Sequence, residues 1–509
     1  MRAASTRPGN PDPEASRAER LILAAHSAEA EFLPSTDLLS SKTIEAGVVA
    51  LPEPDWWRPP GSGRAFSDRS TSPTSATIDS MTPPTSHPFD FVVAQAGLDL
   101  DENGIDPIIR DYVQALGALG GVPRTAEAVA DGARPVAVFV ATGGTERAIL
   151  DGWAAQQQTA PGEPLLLIAH PGNNSLPAAL EVLARLQQDG RPGRIFYLRG
   201  PDDAAGLAEI AAAVEDLDAH RALQGARIGL VGPPSDWLVA SSPEAAIVRE
   251  VWGPTVVPVE MKDLTGRLEA ISAAEVEALV SDLAAGAAEV REPTASELEA
   301  VARVYFSLKR LVKDRELDAV TVRCFDLVLE HRTTGCLALA ELTDDGVIAG
   351  CEGDLVSTVG LLWAKELLGV PPWMANPAQI DCAHNSLWLA HCTVPRSLVS
   401  SYRLRSHFES GLGVGIQGML SPGPVTLLRI GGRGMDHVWL AEGEILRSGD
   451  ADNLCRTQAQ IRLTAGGCVT DLLRTPLGNH LVLVPGHHLE RLSGWCRDFL
   501  SSPAGRHPG

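Results

Sequence analysis

The sequence contains no uninterrupted run of about 18 apolar residues, the length that a membrane-spanning helix needs. Its N-terminus also lacks an apolar segment of the signal-peptide kind. Basic residues are scarce, with 42 Lys and Arg against 64 Asp and Glu, so the formal net charge is −22. This balance argues against a nucleic-acid backbone or an anionic membrane as the main partner. We therefore expect a cytoplasmic protein that binds neither nucleic acid nor membrane.

No two of the eight cysteines form a CxxC pair, and all eight lie in the C-terminal part of the chain, from Cys324 onward. In a large chain without a signal peptide, this usage is typical of reduced thiols that mostly belong to the core. The spacing argues against a zinc ribbon and against a disulfide framework.

Residues 1–86 are rich in Pro, Ser, Thr and Gly, as in the run PEPDWWRPPGSGRAFSDRSTSPTSATIDS. Such a composition buries too little apolar surface to offset the entropy lost on ordering. We predict a mostly disordered extension with one short helix in AERLILAAHSAEAEFL, and Met81 is an alternative start of the protein. Residues 501–509 are predicted to be a tail.

From residue 87 onward, short apolar runs such as PVAVFVATGG and PLLLIAHPG alternate with amphipathic helical patterns. This alternation is typical of a parallel sheet covered on both faces. The predicted fold class is α/β, with two doubly wound parallel-sheet domains at 87–222 and 223–378. Beyond them the helices thin out, and short strands such as SLWLAHCTV and GVGIQGML predict an antiparallel β-rich domain at 379–500, either a sandwich or a barrel.

Two carboxylates follow the apolar run VIAGC, where a buried strand is predicted to end. Asp354 precedes the helical pattern LVSTVGLLWAKELLG and is well placed to be its N-cap. Glu352 lies before the cap, where a bare carboxylate needs a partner. Ligands bind beyond the carboxyl ends of strands in open parallel sheets, so Glu352 is a candidate site residue.

A second acid, Asp381, ends the run WMANPAQID about one strand–helix–strand unit later. If this run is the neighbouring parallel strand, Glu352 and Asp381 reach the same edge of the sheet. Two carboxylates there repel each other unless a cation or a shared proton lies between them. Oxygen ligands suit Mg²⁺ or Mn²⁺, so we predict a divalent cation at this edge.

Histidines are candidates to complete such a site, although a single histidine is more often a core or surface residue than a ligand. The most suggestive is His480, which follows the turn pair Gly478-Asn479 and enters an apolar strand, and His391 lies inside SLWLAHCTV. The remaining candidates are His384, His407, His487 and His488.

The runs CEGDLVSTVGLL, AHCTVP and GNHLVLVPG, together with Asp381, resemble the L-fucose/L-arabinose isomerase superfamily over roughly residues 87–500. The resemblance implies two α/β domains, a β-rich C-terminal domain and a homo-oligomer, either a trimer or a hexamer. It also implies a Mn²⁺ site, with Mg²⁺ and Co²⁺ as alternatives, formed by Glu352, Asp381 and His480. The arabinose-type enzymes add a histidine that corresponds here to His391.

The implied activity is a metal-dependent aldose–ketose isomerase, an intramolecular oxidoreductase that converts an open-chain monosaccharide through an enediolate. The metal stabilises negative charge on two sugar oxygens, and a carboxylate moves the proton between carbons. Glu352 and Asp381 are expected to share the roles of ligand and base. In RSHFESGLGVGIQG, His407 and Glu409 are candidate substrate-binding residues.

Three other interpretations remain open at this point. The first is an isomerase or epimerase of an anionic sugar, sulfonated or phosphorylated, with Arg403, Arg405 or Arg433 binding the anion. The second is a non-catalytic sugar-binding or regulatory protein on the same scaffold. The third is a globular protein whose acidic residues are only caps and ion-pair partners.

Overall fold

The structure is a computed structural model that describes residues 88–96, 107–126, 128–129 and 134–500. The predicted extension at 1–86 and the predicted tail at 501–509 lie outside the described residues. Among the helices of the described part, none is both long enough and apolar enough to cross a membrane.

The described strands are β1 Phe89–Ala94, β2 Gly121–Arg124, β3 Val136–Val140, β4 Leu165–Ala169, β5 Gly193–Tyr197, β6 Arg227–Val231, β7 Thr255–Val259, β8 Glu289–Val290, β9 Ala319–Val322, β10 Ile348–Cys351, β11 Trp373–Asp381, β12 Ser386–His391, β13 Ser401–Arg405, β14 Gly415–Met419, β15 Gly423–Gly431, β16 His437–Ser448, β17 Thr457–Gly466 and β18 Leu481–Pro485.

The described α-helices are α1 Pro107–Ala118, α2 Glu146–Gln156, α3 Ser175–Gln188, α4 Ala204–Gly225, α5 Ala245–Ile247, α6 Met261–Thr265, α7 Ala273–Gly286, α8 Ala295–Arg315, α9 Cys324–His331, α10 Cys336–Asp344, α11 Leu355–Leu368, α12 Asp471–Arg474 and α13 Leu489–Phe499. A π-helical turn, Val248–Trp252, follows α5, and short 3₁₀ turns occur at Leu268–Ala270 and Arg396–Leu398.

The first sheet is parallel, in the order β2-β1-β3-β4-β5. Its strands are apolar on both sides, because both faces are covered. In β3, Val138 and Val140 belong to one buried cluster, whereas Ala137 and Phe139 belong to another. This arrangement confirms the doubly wound α/β fold that the continuous apolar runs predicted.

The second sheet is also parallel, in the order β10-β9-β6-β7. It ends at β10, and helix α11 follows directly. Helix α11 is apolar on nearly every side, as expected of a helix buried between two layers. It packs against β9 and β10 on one side and against β11, β15 and β18 on the other. At Gly360 the helix comes so close to Leu428 and Val482 that a Cβ would lie 3.2 and 3.4 Å from them.

The C-terminal region contains a closed antiparallel barrel in the order β11-β12-β17-β16-β15-β18. It confirms the predicted β-rich region and decides between sandwich and barrel. A separate small sheet has the order β14-β13-β8, and its strand β8 lies in the chain between α7 and α8.

The expectation that WMANPAQID is a parallel strand of the second sheet is wrong. This run is β11, and it pairs antiparallel with β12 and β18 in the barrel. The four residues 382–385 connect β11 to β12, and Asn385 takes a positive φ of 47° there. So short a connection joins antiparallel strands only, since a parallel pair needs a crossover of a dozen or more residues.

Candidate functional site

The site begins at the turn between β10 and α11. Glu352 has a φ of 63° and Gly353 a φ of 73°, so two successive residues adopt the left-handed region. That conformation is unfavourable for a residue with a Cβ, and it persists only where the surroundings hold it. Here the Glu352 carbonyl accepts a hydrogen bond from Ser235 N at 2.9 Å, and Gly353 N donates to Val322 O at 3.1 Å.

The carboxylate of Glu352 is held by a tryptophan. Trp237 Nε1 donates a 2.6 Å hydrogen bond to Glu352 Oε2, and the indole packs edge-on against Phe325 with ring centroids 5.0 Å apart. The Glu352 side chain is 13% exposed, whereas Trp237 is 51% exposed. The loop after β6 therefore covers the carboxylate and leaves its second oxygen, Oε1, directed toward His480.

Asp354 is the N-cap of α11, as predicted, and it also orients a histidine. Its Oδ1 accepts a hydrogen bond from Ser357 N at 2.8 Å, and its Oδ2 lies 2.8 Å from His480 Nδ1. Arg429 Nη1 is 3.6 Å from the same Oδ2. Asp354, His480 and Arg429 are all almost completely buried. This contact fixes the His480 ring, in the way that carboxylates orient metal-binding imidazoles.

The barrel supplies His391 and Asn376 beside His480. β11 lies between β12 and β18, so Asn376 pairs with Ala390 on one side, and its neighbour Ala375 pairs with Leu481 on the other. The His391 and His480 rings are 5.4 Å apart and nearly perpendicular, and His391 Nδ1 is 2.8 Å from Thr393 Oγ1.

Glu352, Asn376 and His391 line a cavity of about 230 Å³ between the second sheet and the barrel. Its lining residues are Cys324, Phe325, Cys336, Cys351, Glu352, Asn376, Ala378, Ala390, His391, Cys392, His407, Phe408, Glu409, Leu454 and Cys455. The described lining is rich in thiols and apolar groups and contains no Lys or Arg.

One donor atom from each of Glu352, His391 and His480 lies within 4.8 Å of the others. Nε2 of His480 is 3.7 Å from Glu352 Oε1, which makes the contact an ion pair, since this distance is too long for a hydrogen bond. Nε2 of His480 and Oδ1 of Asn376 are buried without any hydrogen-bond partner. Buried polar atoms are rarely left unpaired, so this donor set fits a divalent cation that would complete their coordination.

The electrostatics follow from the same contacts. Burial alone would lower the pKa of His480, but Asp354 and Glu352 outweigh it and raise the pKa to about 9. Burial alone would raise the pKa of Glu352, but His480 and Trp237 hold it below its usual range. Burial and the charge of His480 lower the pKa of His391 to about 4. Glu352 is thus ionised and His391 neutral at pH 7, the forms in which both bind cations.

Asp381 is not part of this group. It is the last residue of β11, and its side chain is 49% exposed. Its carboxylate accepts hydrogen bonds from the backbone N–H groups of residues 383 and 384 and contacts His384 Nδ1 at 2.7 Å. The expected meeting of Asp381 with Glu352 is wrong, because it assumed two adjacent parallel strands.

The two predicted substrate-binding residues, His407 and Glu409, both line the cavity. Burial raises the pKa of Glu409, and the negative charge of Glu352 adds to the effect, while His407 opposes it. The predicted anion-binding arginines, in contrast, lie elsewhere. Arg405 pairs with Glu292 and Asp452, and neither Arg403 nor Arg433 lines the cavity.

Sequence reasoning missed Asn376, which lies five residues before Asp381 on the same strand. The only signal was a polar residue inside an otherwise apolar run, WMANPA. It also missed Trp237, because nothing in the loop GPPSDW indicates that this loop reaches the end of β10.

The fold and this carboxylate–histidine cavity define a two-sheet α/β protein with a barrel and a cation-compatible site at their junction. Comparison with curated proteins finds isomerases. The chain is 21% identical over 251 residues to the sulfoquinovose isomerase of Alkalicoccus urumqiensis, covering 46% of this chain and 54% of that protein. It is 23% identical over 223 residues to that of Clostridium sp. (strain MSTE9), covering 43% and 49% respectively.

A third relative, the sulfoquinovose isomerase of Priestia aryabhattai, is 22% identical over 245 residues, covering 46% of this chain and 54% of the relative. The chain thus spans about half the length of the curated relatives it matches. No protein-family model matches it. The comparisons support the superfamily resemblance of the motifs, at low identity and over less than half of the chain.

Proposed function

We propose that this protein is a metal-dependent aldose–ketose isomerase that acts on an open-chain monosaccharide. The observation that carries the proposal is the grouping of Glu352, His391 and His480, with Glu352 and His391 lining the cavity and His480 Nε2 buried without a hydrogen-bond partner. The isomerase relatives support the same reaction class. We infer a homo-oligomer, trimer or hexamer, because the motifs resemble a family that assembles in this way.

We propose Glu352, His480 and His391 as the ligands of the cation, with Asn376 Oδ1 at the position first assigned to Asp381. One carboxylate, one amide oxygen and two imidazoles suit Mn²⁺, and Mg²⁺ and Co²⁺ are alternatives. When bound, the cation would stabilise the negative charge that develops on the substrate oxygens during proton transfer.

The protein's own groups would do the remaining work. Asp354 holds His480 in one ring orientation, and Trp237 holds Glu352. We propose that Glu409 moves the proton between the two substrate carbons. It lines the cavity outside the ligand set, and burial raises its pKa, which favours a carboxylate that must both accept and return a proton.

A second candidate is isomerisation of an anionic sugar. The names of the relatives favour it, because sulfoquinovose carries a sulfonate group. The described lining of the cavity offers no Lys or Arg to bind such a group. We infer that the groups that bind such an anion would come from outside this lining.

The deciding experiment incubates the Mn²⁺-loaded protein with neutral and sulfonated aldoses in D₂O and follows them by proton NMR after removal of the metal. We expect ketose formation with deuterium at C1 or C2. Glu409→Gln should lower kcat by about 10²–10⁴-fold, the usual contribution of a general base. Glu352→Gln and Asn376→Ala should lose Mn²⁺ affinity, whereas Asp381→Asn should keep full turnover.

Two outcomes would contradict the proposal. Sugar binding without conversion or exchange, with the metal verified as bound, would assign a binding or regulatory role. Loss of turnover in Asp381→Asn together with full turnover in Asn376→Ala would restore the original ligand assignment.

A further inference from the structure

A second group of metal-binding side chains lies in the wall of the same cavity. Cys336, Cys392 and His407 each direct one donor atom to a point where all three atoms lie within 4.8 Å of one another. All three side chains are buried, at 5%, 2% and 8% exposure. None of them belongs to the Glu352 group, and the proposed isomerisation does not use the two thiols.

A fourth donor is adjacent. The thiol of Cys455 lines the same cavity near Cys392, because His391 and Thr457 are paired where β12 and β17 meet, and Cys392 and Cys455 lie close to that pair in the chain. The imidazole is oriented as well, since His407 Nδ1 is 3.1 Å from Ser410 Oγ and the His407 backbone closes a tight turn with Leu412. Three thiols and one oriented imidazole therefore come from four separate parts of the chain.

The chemistry of this set differs from that of the Glu352 group. Thiolates are soft ligands that prefer Zn²⁺ to Mn²⁺ or Mg²⁺. In a tetrahedral site with Zn–S distances of about 2.3 Å, neighbouring ligand atoms lie about 3.5–4 Å apart. The donors of Cys336, Cys392 and His407 already lie within 4.8 Å of one another, so a small inward movement of these three is enough. Without a bound metal ion, the three buried thiols would have only weak S–H hydrogen bonds to stabilise them.

We propose that Cys336, Cys392, His407 and Cys455 form a Zn²⁺ site in the cavity wall, separate from the carboxylate–histidine site. The spacing of these residues resembles no ribbon or finger, because the site is assembled by tertiary structure. An ion bound there occupies part of the space that is open to a substrate, since all four side chains line the cavity.

Cobalt is the probe that separates the two sites, because only thiolate ligands give a near-ultraviolet sulfur-to-cobalt charge-transfer band. The full-length protein is stripped with a chelator, kept reduced with a non-thiol reductant and titrated with Co²⁺. We expect the charge-transfer band together with the strong visible absorption of tetrahedral Co²⁺. One equivalent of Zn²⁺ should abolish both, since Zn²⁺ binds more tightly than Co²⁺ at such a site, and excess Mn²⁺ should not.

The variants assign the ligands. Cys392→Ser and Cys336→Ser should each lose the band, whereas His480→Gln should retain it because it disables only the other site. Cys496→Ser is the matched control, a half-buried thiol on α13 that does not line the cavity. Circular dichroism checks the fold of each variant, and the wild-type titration is decisive if a cysteine variant fails to fold.

Absence of the band in the reduced wild-type protein would overturn the proposal, as would a band that survives in both Cys336→Ser and Cys392→Ser. Neither result depends on the isomerase activity, so failure of this site and failure of the proposed function are distinguishable.

Discussion

The residue that best explains the candidate site is Asp354, which acts on two neighbours at once. One of its carboxylate oxygens caps α11, and the other holds His480 Nδ1 at 2.8 Å. Arg429 and the hydrogen bond from His480 overcome the effect of burial and lower the pKa of Asp354 to about 2. Asp354 therefore stays ionised, and it holds His480 with Nε2 toward Glu352 throughout the physiological pH range.

Replacing Asp354 with Asn should weaken cation binding without removing a ligand. We expect the Mn²⁺ affinity to fall by about 10–100-fold, the usual effect of losing the partner of a metal-binding histidine. Titration calorimetry measures the affinity, and far-ultraviolet circular dichroism verifies that α11 remains intact. An unchanged affinity in a folded variant would mean that Asp354 is a helix cap only.

The raised pKa of His480 gives this binding a pH dependence. Below about pH 9 the imidazole of the metal-free protein carries a proton, which a cation must displace. The Mn²⁺ affinity should therefore increase as the pH rises from 6.5 to 9 and then level off. Calorimetry in two buffers of different ionisation enthalpy measures the released proton. A flat affinity over this range would exclude His480 from the ligand set.

At the level of single residues, the sequence predicted Glu352, His391, His407 and Glu409, which line the cavity, and His480, which groups with Glu352 and His391; their roles stay predictions. These residues lie at or next to strand ends, where local patterns carry information. Asn376 could not be found in this way, because its relevance depends on which strands flank β11. Pairing between strands that are distant in the chain decides which strands flank β11, and the sequence around Asn376 contains no local pattern that indicates them.

At the level of elements, the turn between β10 and α11 is the tightest constraint around the site. A Cβ on Gly353 would lie 2.8 Å from Pro234 Cα and 3.1 Å from Pro233 O, and the residue has a φ of 73°. Only glycine satisfies both conditions. The loop after β6 therefore presses directly on the turn that presents Glu352.

Gly353→Ala should destabilise the protein more than Gly369→Ala. Both glycines have a positive φ, but a Cβ at Gly369 would meet nothing within 4 Å. We expect Gly369→Ala to cost about 1–2 kcal/mol from backbone conformation alone, and Gly353→Ala to cost more because Pro234 must move. Urea denaturation compares the two variants, and equal losses would contradict the close contact.

The direction of β11 illustrates what element-level patterns omit. The apolar run, the length and the approximate ends of this strand were predicted correctly. Its partners were not, because a run such as WMANPAQID carries no mark of parallel or antiparallel pairing. The pairing direction is indicated instead by the connection that follows, because the four residues CAHN form a turn that is too short for the crossover between parallel strands.

At the level of the whole molecule, the C-terminal helix α13 ties the end of the chain to α4. His220 on α4 stacks on Phe499 with centroids 5.0 Å apart, and Trp495 Nε1 donates to Asp216 O at 3.1 Å. Arg491 adds ion pairs to Glu215 and Asp216. The first α/β region and the last helix therefore share one hydrophobic core.

Burial, with a smaller contribution from Arg221, lowers the pKa of His220 from 6.5 to about 4. Between pH 6.5 and 4, His220 is protonated in the unfolded chain but remains neutral in the folded protein. The free energy of unfolding therefore decreases as the pH falls through this range. The loss amounts to about 3 kcal/mol, at roughly 1.4 kcal/mol per unit of pKa shift.

His220→Gln should remove this part of the acid sensitivity, whereas His384→Gln, at an exposed position, should not. Denaturant unfolding at pH 7 and at pH 4.5 gives the difference for each protein. The same pH dependence in wild type and His220→Gln would show that another group is responsible.

The hydrogen bond from Trp237 to Glu352 has a consequence for observing the molecule. An indole that is half open to solvent donates its only N–H to a carboxylate proposed to bind a cation. Any ligand that draws this carboxylate away changes the polarity around the indole ring. The chain thus carries a fluorophore in direct contact with Glu352, and we expect a ligand that moves this carboxylate to shift the emission wavelength of Trp237.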